Sequence, residues 1–261
     1  MTESQPPRFA GKRVVVKVGS SSVSGDNAAQ IPSLVDSLAR LHRTGGEVIL
    51  VSSGAIATGV PFMRLDVRPD DLATQQAAAA VGQNILVGRY QRALSVHDII
   101  AGQVLLTAND MENPTHRDNA KRAIVRLLQL GILPIINEND TVATHEIRFG
   151  DNDRLAALVA RLVGADHLVL LSDVDALYTA PPNVAGATRI ARVPFGDELA
   201  GVEIGATQSG WGTGGAATKV QAARLAAEAG TEVLLTETRL FAELLDGEAH
   251  GTVFEAAAGA H

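Results

Sequence analysis

Two lysines stand beside glycine-rich segments in a way that suits the binding of phosphate groups. Lys17 lies inside the apolar run RVVVKV, just before Gly19, which opens the segment GSSS. Lys219 ends the segment GWGTGGAATK at residues 210–219. Backbone N–H groups, hydroxyls and an ammonium group are the usual donors to phosphate oxygens. The sequence therefore predicts two anion-binding loops with one lysine each, although a lysine extending from an edge strand also explains Lys17.

The segment before Lys219 departs from the two common nucleotide-binding patterns. Gly210, Gly212 and Gly215 fit GxGxxG, but the residues before them are polar, whereas the dinucleotide fingerprint follows a buried strand. A P-loop has glycine directly before its lysine, and here Thr218 takes that place. A nicotinamide-dependent dehydrogenase therefore has only this weak match in its favour. The segment predicts a loop that delivers a lysine to the start of a helix.

Polar side chains follow other apolar runs. Ser53 and Gly54 come after the run that ends at Val51, NEND at residues 137–140 follows the run that ends at Ile136, and GDND at residues 150–153 precedes a helical pattern. Ser172 and Asp173 end a further run. In an open α/β sheet, ligands bind beyond the carboxyl ends of the strands. These clusters predict ligand contacts there, although turns and helix caps use the same residue types.

The apolar runs alternate with helical patterns along most of the chain. Strands are predicted at residues 13–18, 48–51, 103–106, 133–136, 167–171 and 233–235, and helices at residues 31–41, 73–94, 119–130, 154–163 and 217–229. This alternation is typical of the α/β class, with a mostly parallel sheet covered on both faces. The polar residues 173–215 interrupt the alternation and predict a functional insertion. We expect one domain over residues 1–255 and a disordered tail at residues 256–261.

Composition excludes several classes of function. The chain has 261 residues, 22 basic and 29 acidic residues and a net charge of −7, which argues against nucleic acid or an anionic membrane as partner. It contains no cysteine, so disulfides, thiolate nucleophiles and Cys-ligated zinc are excluded. The histidines show no metal-ligand spacing. Because the sequence shows no signal peptide or apolar span, we expect a cytoplasmic enzyme.

Six segments together resemble one known family. They are KVGSS at Lys17, VSSGAIA at Val51, INENDTVA at Ile136, FGDND at Phe149, LLSDVDALY at Leu170 and GTGGAATK at Gly212. In this order and spacing the chain is similar to the glutamate 5-kinases of the amino acid kinase family. The resemblance implies a three-layer αβα sandwich around an open sheet of about eight strands. It also implies that MgATP phosphorylates the side-chain carboxylate of L-glutamate to L-glutamyl 5-phosphate, the first step of proline biosynthesis.

The family pattern implies a role for each matching position. Lys17 and Lys219 would contact the phosphates, and Asp153 would hold the two lysines in place. Glutamate would be bound by Ser53, Gly54, Asp140 and Asn152. The ATP site would comprise Lys17, Gly19, Ser172, Asp173, Thr213, Gly214, Gly215, Ala216, Ala217, Thr218 and Lys219. The family usually has threonine where this chain has Ser172, which keeps the hydroxyl. No protein ligand to metal is assigned, because Mg²⁺ tends to be held by phosphates and water.

The resemblance also carries expectations about partners. Many members of the family have an additional C-terminal PUA domain, and this chain ends where that domain would begin. A homodimer or a dimer-based tetramer is the family expectation, with proline as a feedback inhibitor. A glutamyl phosphate reductase would accept the product.

Two alternatives remain within the same fold. One is a kinase for another acid, such as acetylglutamate or aspartate, and the segment INENDTVA argues against it. The other is a non-catalytic regulator that binds an amino acid. Such a regulator would be expected to lack a phosphate-binding lysine, and both lysines are present.

Overall fold

The computed structural model describes residues 8–144, 151–181, 184–200, 202 and 215–259. The apolar, β-branched runs form the longer strands. The strands are β1 (Arg13–Val18), β2 (Glu47–Ser52), β3 (Ala101–Leu106), β4 (Leu133–Glu138), β5 (His167–Ser172), β6 (Leu177–Tyr178), β7 (Arg189–Ile190), β8 (Arg192–Val193), β9 (Glu232–Glu237) and β10 (Thr252–Phe254). The helices are α1 (Ser20–Val23), α2 (Ile31–Arg43), α3 (Ala55–Phe62), α4 (Leu72–Ser95), α5 (Ala108–Glu112), α6 (Pro114–Gln129), α7 (Asn152–Val163), α8 (Ala216–Ala227) and α9 (Phe241–Leu245), with 3₁₀ turns at Gly25–Gln30 and Thr238–Leu240.

The described strands form an eight-stranded sheet in the order β3-β4-β2-β1-β5-β9-β10-β8, beside a separate β6–β7 pair. From β3 to β9 all neighbours are parallel, whereas β10 runs antiparallel to β9. The predicted mostly parallel sheet of about eight strands is thereby confirmed. Strand β1 lies between β2 and β5, so Lys17 does not extend from an edge strand, and only 5% of Lys17 is exposed.

Helices cover both faces of the sheet, and the residues of each strand alternate between the two faces. Val15 packs in the cluster that includes residues of α6, α7 and α8. Val14 and Val16 pack in the other cluster, with residues of α2, α4 and α9. Lys17 stands two residues after Val15, so its side chain points to the face that α7 and α8 cover.

Helices α3 and α4 approach each other so closely that their backbones touch. A Cβ atom on Gly59 of α3 would lie 1.9 Å from the backbone oxygen of Ala78, and one on Gly82 of α4 would lie 1.8 Å from that of Ala55. Only glycine fits at these two positions, because the obstructing atoms belong to the backbone. This contact fixes α3, which directly follows Ser53 and Gly54, against the long helix α4.

The predicted helices and strands are present, with shifted ends. The helix predicted at residues 119–130 begins at Pro114, where the side chain of Asn113 accepts hydrogen bonds from two backbone N–H groups. The helix predicted from residue 154 begins at Asn152. Within the described part of residues 173–215, the short strands β6, β7 and β8 were not predicted, and β8 joins the main sheet. No described helix is both long enough and apolar enough to cross a membrane.

Candidate active site

Lys17, Asp153 and Lys219 form a buried ion-pair cluster, here called the cationic centre. The Nζ atom of Lys17 lies 2.6 Å from Oδ1 of Asp153, and Nζ of Lys219 lies 3.0 Å from Oδ2 of the same carboxylate. The side chain of Asp153 is fully buried, and those of the lysines are less than 10% exposed. With two positive charges against one negative charge, the centre keeps an excess positive charge that suits an anionic ligand.

Three elements bring these side chains together. Lys17 is the penultimate residue of the central strand β1, Asp153 lies in the first turn of α7, and Lys219 lies in the first turn of α8. Both helices therefore begin at the cationic centre, where their unpaired N–H groups favour negative charge. Asp153 does not cap α7: the N-cap is Asp151, whose Oδ1 accepts a hydrogen bond from the backbone N–H of Arg154 at 2.9 Å.

Burial favours a higher pKa for both acidic side chains at the start of α7, but the charges beside them differ. Burial alone would raise the pKa of Asp153, but the charges of Lys17 and Lys219 and their hydrogen bonds outweigh it and hold the pKa below its ordinary value. The pKa of Asp151 is raised, chiefly by burial and further by the nearby charge of Asp153. Asp153 therefore stays ionised between its two lysines.

Ser53 and Asn152 meet beside the cationic centre. The Nδ2 atom of Asn152 lies 2.9 Å from Oγ of Ser53 and 3.0 Å from the backbone oxygen of Ser52. Gly54 follows with a φ of 94°, in the left-handed region that glycine adopts without strain, and serves as the N-cap of α3. The predicted group of Ser53, Gly54, Asp140 and Asn152 is here called the acid pocket.

Asp140 lies two residues beyond the end of β4, in the turn that follows the strand, and is partly buried. Strand β4 is the sheet neighbour of β2, which leads to Ser53. Asp140 therefore stands at the same edge of the sheet as the rest of the acid pocket. Its contact with a substrate stays a prediction.

Ser172 and Asp173, two of the residues predicted for the nucleotide, follow β5, which neighbours β1 on the side opposite β2. Ser172 ends β5, and its hydroxyl donates to Oδ1 of the exposed Asp173 at 3.0 Å. A Cβ atom on Gly19 would lie 3.8 Å from Nζ of Lys17, so the loop after β1 runs close to the lysine head.

The start of α8 supplies the remaining described part of the nucleotide segment. Gly215 is the N-cap of α8, and Ala216 and Ala217 open the helix. The hydroxyl of Thr218 donates to the backbone oxygen of Gly215 at 2.9 Å. Thr213 and Gly214 lie outside the described residues.

A hydrogen-bond network behind the acid pocket was not predicted from the sequence. Asn137, at the end of β4, accepts from Nδ2 of Asn152 and donates to Oε1 of Gln83 in α4. On the same helix, the buried hydroxyl of Tyr90 lies 2.9 Å from Oγ of Ser52. Asn137 stood in a predicted cluster without a role of its own. The only sequence signal for Gln83 and Tyr90 is their spacing of seven residues, two turns along one helix face.

Comparisons with known proteins identify the family of the chain. The family model described as "Amino acid kinase family" matches residues 12–237. The chain is 68% identical over 253 residues to a glutamate 5-kinase of Clavibacter michiganensis subsp. michiganensis, covering 97% of this chain and 98% of that relative. It is 54% identical to a glutamate 5-kinase of Streptomyces coelicolor, covering 94% of this chain and 67% of that relative.

The fold is shared with a solved structure of much lower identity. A carbamate kinase from Giardia lamblia bound to AMP-PNP superimposes with a TM-score of 0.69 at 16% identity, covering 95% of this chain and 100% of that one. The likeness concerns the fold, which agrees with the sheet order and helix layers described above. From the family match and the sequence identities, this chain belongs to the amino acid kinase family.

Proposed function

We propose that the chain is an ATP-dependent glutamate 5-kinase, which transfers the γ-phosphoryl group of ATP to the side-chain carboxylate of L-glutamate. The observation that carries the proposal is the cationic centre at the carboxyl end of β1, with Ser53 and Asn152 directly beside it. The 68% identity to a relative named glutamate 5-kinase supports glutamate as the acid.

In the proposed reaction, a carboxylate oxygen of glutamate forms a bond to the γ-phosphorus as the bond from that phosphorus to the β,γ-bridging oxygen breaks. The leaving electron pair stays on ADP. A carboxylate is already a nucleophile, so no general base is required. The protein must bring two anions together and stabilise the charge on the transferring group. Lys17 and Lys219 are suited to this task, and Asp153 keeps both ammonium groups at fixed positions.

Magnesium enters as part of the substrate MgATP. Both oxygens of Asp153 are already paired with lysines, and Oδ1 of Asp151 caps α7, so these carboxylates do not form a dedicated cage for the ion. This donor set fits a Mg²⁺ ion that is held by the phosphates and by water, as this ion commonly is. The lysines then carry the charge stabilisation that the chain itself supplies.

The test is ADP release by the purified chain with MgATP and one acid at a time: glutamate, N-acetylglutamate or aspartate. Hydroxylamine in parallel reactions traps an acyl phosphate as a hydroxamate, which shows that the acceptor is a carboxylate. We expect glutamate to give the highest kcat/KM and the strongest hydroxamate signal. Preferential turnover of N-acetylglutamate or aspartate would identify another kinase of the family. ATP-independent binding of glutamate without ADP release would identify a non-catalytic regulator.

The finer expectations about context are part of the same proposal and rest on the sequence resemblance to the glutamate 5-kinases. They are a homodimer or dimer-based tetramer, inhibition by proline, transfer of the product to a glutamyl phosphate reductase, and a cytoplasmic location. The single domain over residues 1–255, with a tail at residues 256–261, likewise stays a prediction.

A further inference from the structure

We propose that Gln83 of α4 is a positioning residue for the acid pocket, and that it acts through Asn137 on Asn152. This inference rests on the proposed function, because the pocket is assigned to the acid substrate there. Gln83 lies on the opposite face of the sheet from α7, among residues that pack α4 against the strands. It is only 8% exposed.

The three side chains form one continuous chain of hydrogen bonds. The Nδ2 atom of Asn137 donates to Oε1 of Gln83 at 2.7 Å. The Oδ1 atom of Asn137 accepts from Nδ2 of Asn152 at 2.9 Å. Asn137 thereby connects a residue of α4 with the first residue of α7, past the carboxyl end of β4.

The orientation of each side-chain amide in this series of hydrogen bonds follows from the backbone groups beside it, which can only donate or only accept. The backbone N–H of Glu138 donates to Oδ1 of Asn137 at 2.9 Å, so the amide nitrogen of Asn137 must face Gln83. Because that nitrogen is a donor, Gln83 must present its oxygen to it. The backbone oxygen of Ser52 accepts from Asn152, so Nδ2 of Asn152 faces the strand ends.

Because Nδ2 of Asn152 faces the network, the amide oxygen of Asn152 faces away from it. Oδ1 of Asn152 is buried and has no hydrogen-bond partner among the residues that the structure describes. A buried amide oxygen without a partner is costly, and a donor from a ligand would satisfy it. The ammonium group of an amino acid is such a donor. If the Asn152 amide turned over, it would present N–H groups to the ammonium group and weaken binding.

Gln83 is needed to hold Asn137 in place, because the amide nitrogen of Asn152 has more acceptors around it than hydrogens to donate. This Nδ2 atom has two hydrogens and three acceptors within 3.0 Å, namely Ser52 O, Ser53 Oγ and Asn137 Oδ1. Asn137 keeps a fixed place in this group only while both ends of its amide are held. Removal of the Gln83 oxygen would leave the buried nitrogen of Asn137 without its described acceptor, and the amide would be free to tilt.

The first measurement compares Gln83→Met with Gln91→Met. Methionine keeps the length of the side chain and removes its hydrogen bonds. Gln91 lies on the same helix and bonds to Ala101 N and Ile99 O at the start of β3, the opposite edge of the sheet. We expect Gln83→Met to raise KM for glutamate about tenfold, as for the loss of one buried hydrogen bond. KM for ATP should stay within about twofold for both variants, and Gln91→Met should leave KM for glutamate unchanged.

A double-mutant cycle then separates positioning from simple helix packing. If Gln83 acts through Asn137, adding Gln83→Met to Asn137→Ala should raise KM for glutamate no further. Independent, multiplying effects of the two substitutions would overturn the inference, as would an unchanged KM in Gln83→Met. A wild-type chain that does not release ADP with glutamate would instead contradict the proposed function, so the two failures can be told apart.

Discussion

Asp153 is central to the proposed chemistry, because it pairs with both Lys17 of β1 and Lys219 of α8. Each of its oxygens contacts a different ammonium group. An arrangement of this kind fixes two cations close together without leaving their mutual repulsion uncompensated. The pair of lysines therefore keeps a net positive charge after pairing with Asp153, and a ligand with several negative charges could bind to it.

Replacement of Lys17 by methionine tests the charge that the centre applies to the phosphates. We expect kcat to fall by at least about 10²–10³, the scale observed when one preorganised charge-stabilising donor is lost. The matched control is Lys12→Met. Lys12 lies just before the first residue of the same strand, is exposed, and pairs with Asp166. ADP release should be nearly unchanged in the control. A Lys17→Met enzyme with kcat within about threefold of wild type would remove the lysine from the mechanism.

Replacement of Asp153 by asparagine tests the residue that holds the lysines. Two buried ammonium groups would lose their counter-charge, which costs about 3–5 kcal/mol of unfolding free energy when a buried pair is broken. Turnover should fall as well, because the lysines are no longer fixed. The control is Asp166→Asn, where a part-exposed carboxylate pairs with Lys12, so a much smaller loss is expected. Denaturant unfolding and ADP release measure the two effects, and an active variant of wild-type stability would contradict both roles.

The pH dependence of that stability difference follows from the direction of the pKa shift. The pKa of Asp153 lies below its ordinary value of 3.8, since the lysines outweigh the effect of burial. Its ionised form therefore stabilises the folded state above pH 3.8, and this contribution is lost as the pH falls through the lower folded pKa. We expect the difference in unfolding free energy between wild type and Asp153→Asn to be constant near neutral pH and to shrink below pH 3.8. A difference that grows with acidification would have the wrong sign.

At the scale of the elements, α4 combines close packing with support of the pocket. Gly82 allows the backbone of α3 to touch it, and Gln83 and Tyr90 bond to the ends of β4 and β2. The helix is thereby held against α3 on one side and against two strand ends on the other. A shift of α4 would move both sides of the acid pocket.

Alanine at Gly82 should show how strictly this helix contact is set. Its Cβ would lie 1.8 Å from the backbone oxygen of Ala55, so one helix must move, and we expect a loss of about 3 kcal/mol in unfolding free energy, the upper end of the usual cost of overpacking. Gly88 lies on the same helix, and a Cβ atom there would have nothing within 4 Å, which makes Gly88→Ala the matched control. That variant should gain up to about 1 kcal/mol from helix propensity. Equal stabilities of the two variants in denaturant unfolding would contradict the packing account.

The longer helices and strands were predictable because the apolar residues of each recur with the spacing typical of that kind of element. The run RVVVKV is typical of a buried strand, and it forms the central strand β1. The start of α7 was predicted at residue 154, two residues too late. Asn152 and Asp153 are polar, so they do not belong to the repeating apolar positions from which the helix was predicted. Strands β6, β7 and β8 have two residues each, too few for any alternation to be visible.

The candidate site was predictable where a polar residue or glycine stands at the end of a strand or at the start of a helix. Lys17 and Ser172 are among the last two residues of β1 and β5, and Ser53 directly follows β2, so all three lie along one edge of the sheet. Gln83 and Tyr90 lie within a continuous helix, where their spacing of seven residues marks a shared face but no ligand contact. Their contacts with Asn137 and Ser52 arise from tertiary packing, which a single sequence does not display.

For the whole molecule, the order of the strands divides the site into two sides. Strands β2 and β4 carry Ser53, Asn137 and Asp140 on one side of β1, and β5 carries Ser172 on the other. Lys17 on β1 stands between them, where an acid on one side and a nucleotide on the other would meet. Although the net charge of the chain is −7, the cationic centre gives this junction a local positive charge.

Substitutions on the two sides of the site should therefore affect the KM of different substrates. The carboxylate of Asp140 is expected to pair with the ammonium group of glutamate, which N-acetylglutamate replaces by a neutral amide. Truncation of one member of a buried charged pair costs about 2–5 kcal/mol, so Asp140→Ala should raise KM for glutamate at least about thirtyfold and reduce discrimination against N-acetylglutamate.

Ser172→Ala, on the nucleotide side, should raise KM for ATP and leave KM for glutamate unchanged. Steady-state ADP release with each substrate varied in turn measures both constants. A parallel rise of the two constants in Asp140→Ala would make this residue a structural part of the turn, because a side chain that recognises only the amine has no means of reaching the nucleotide across β1.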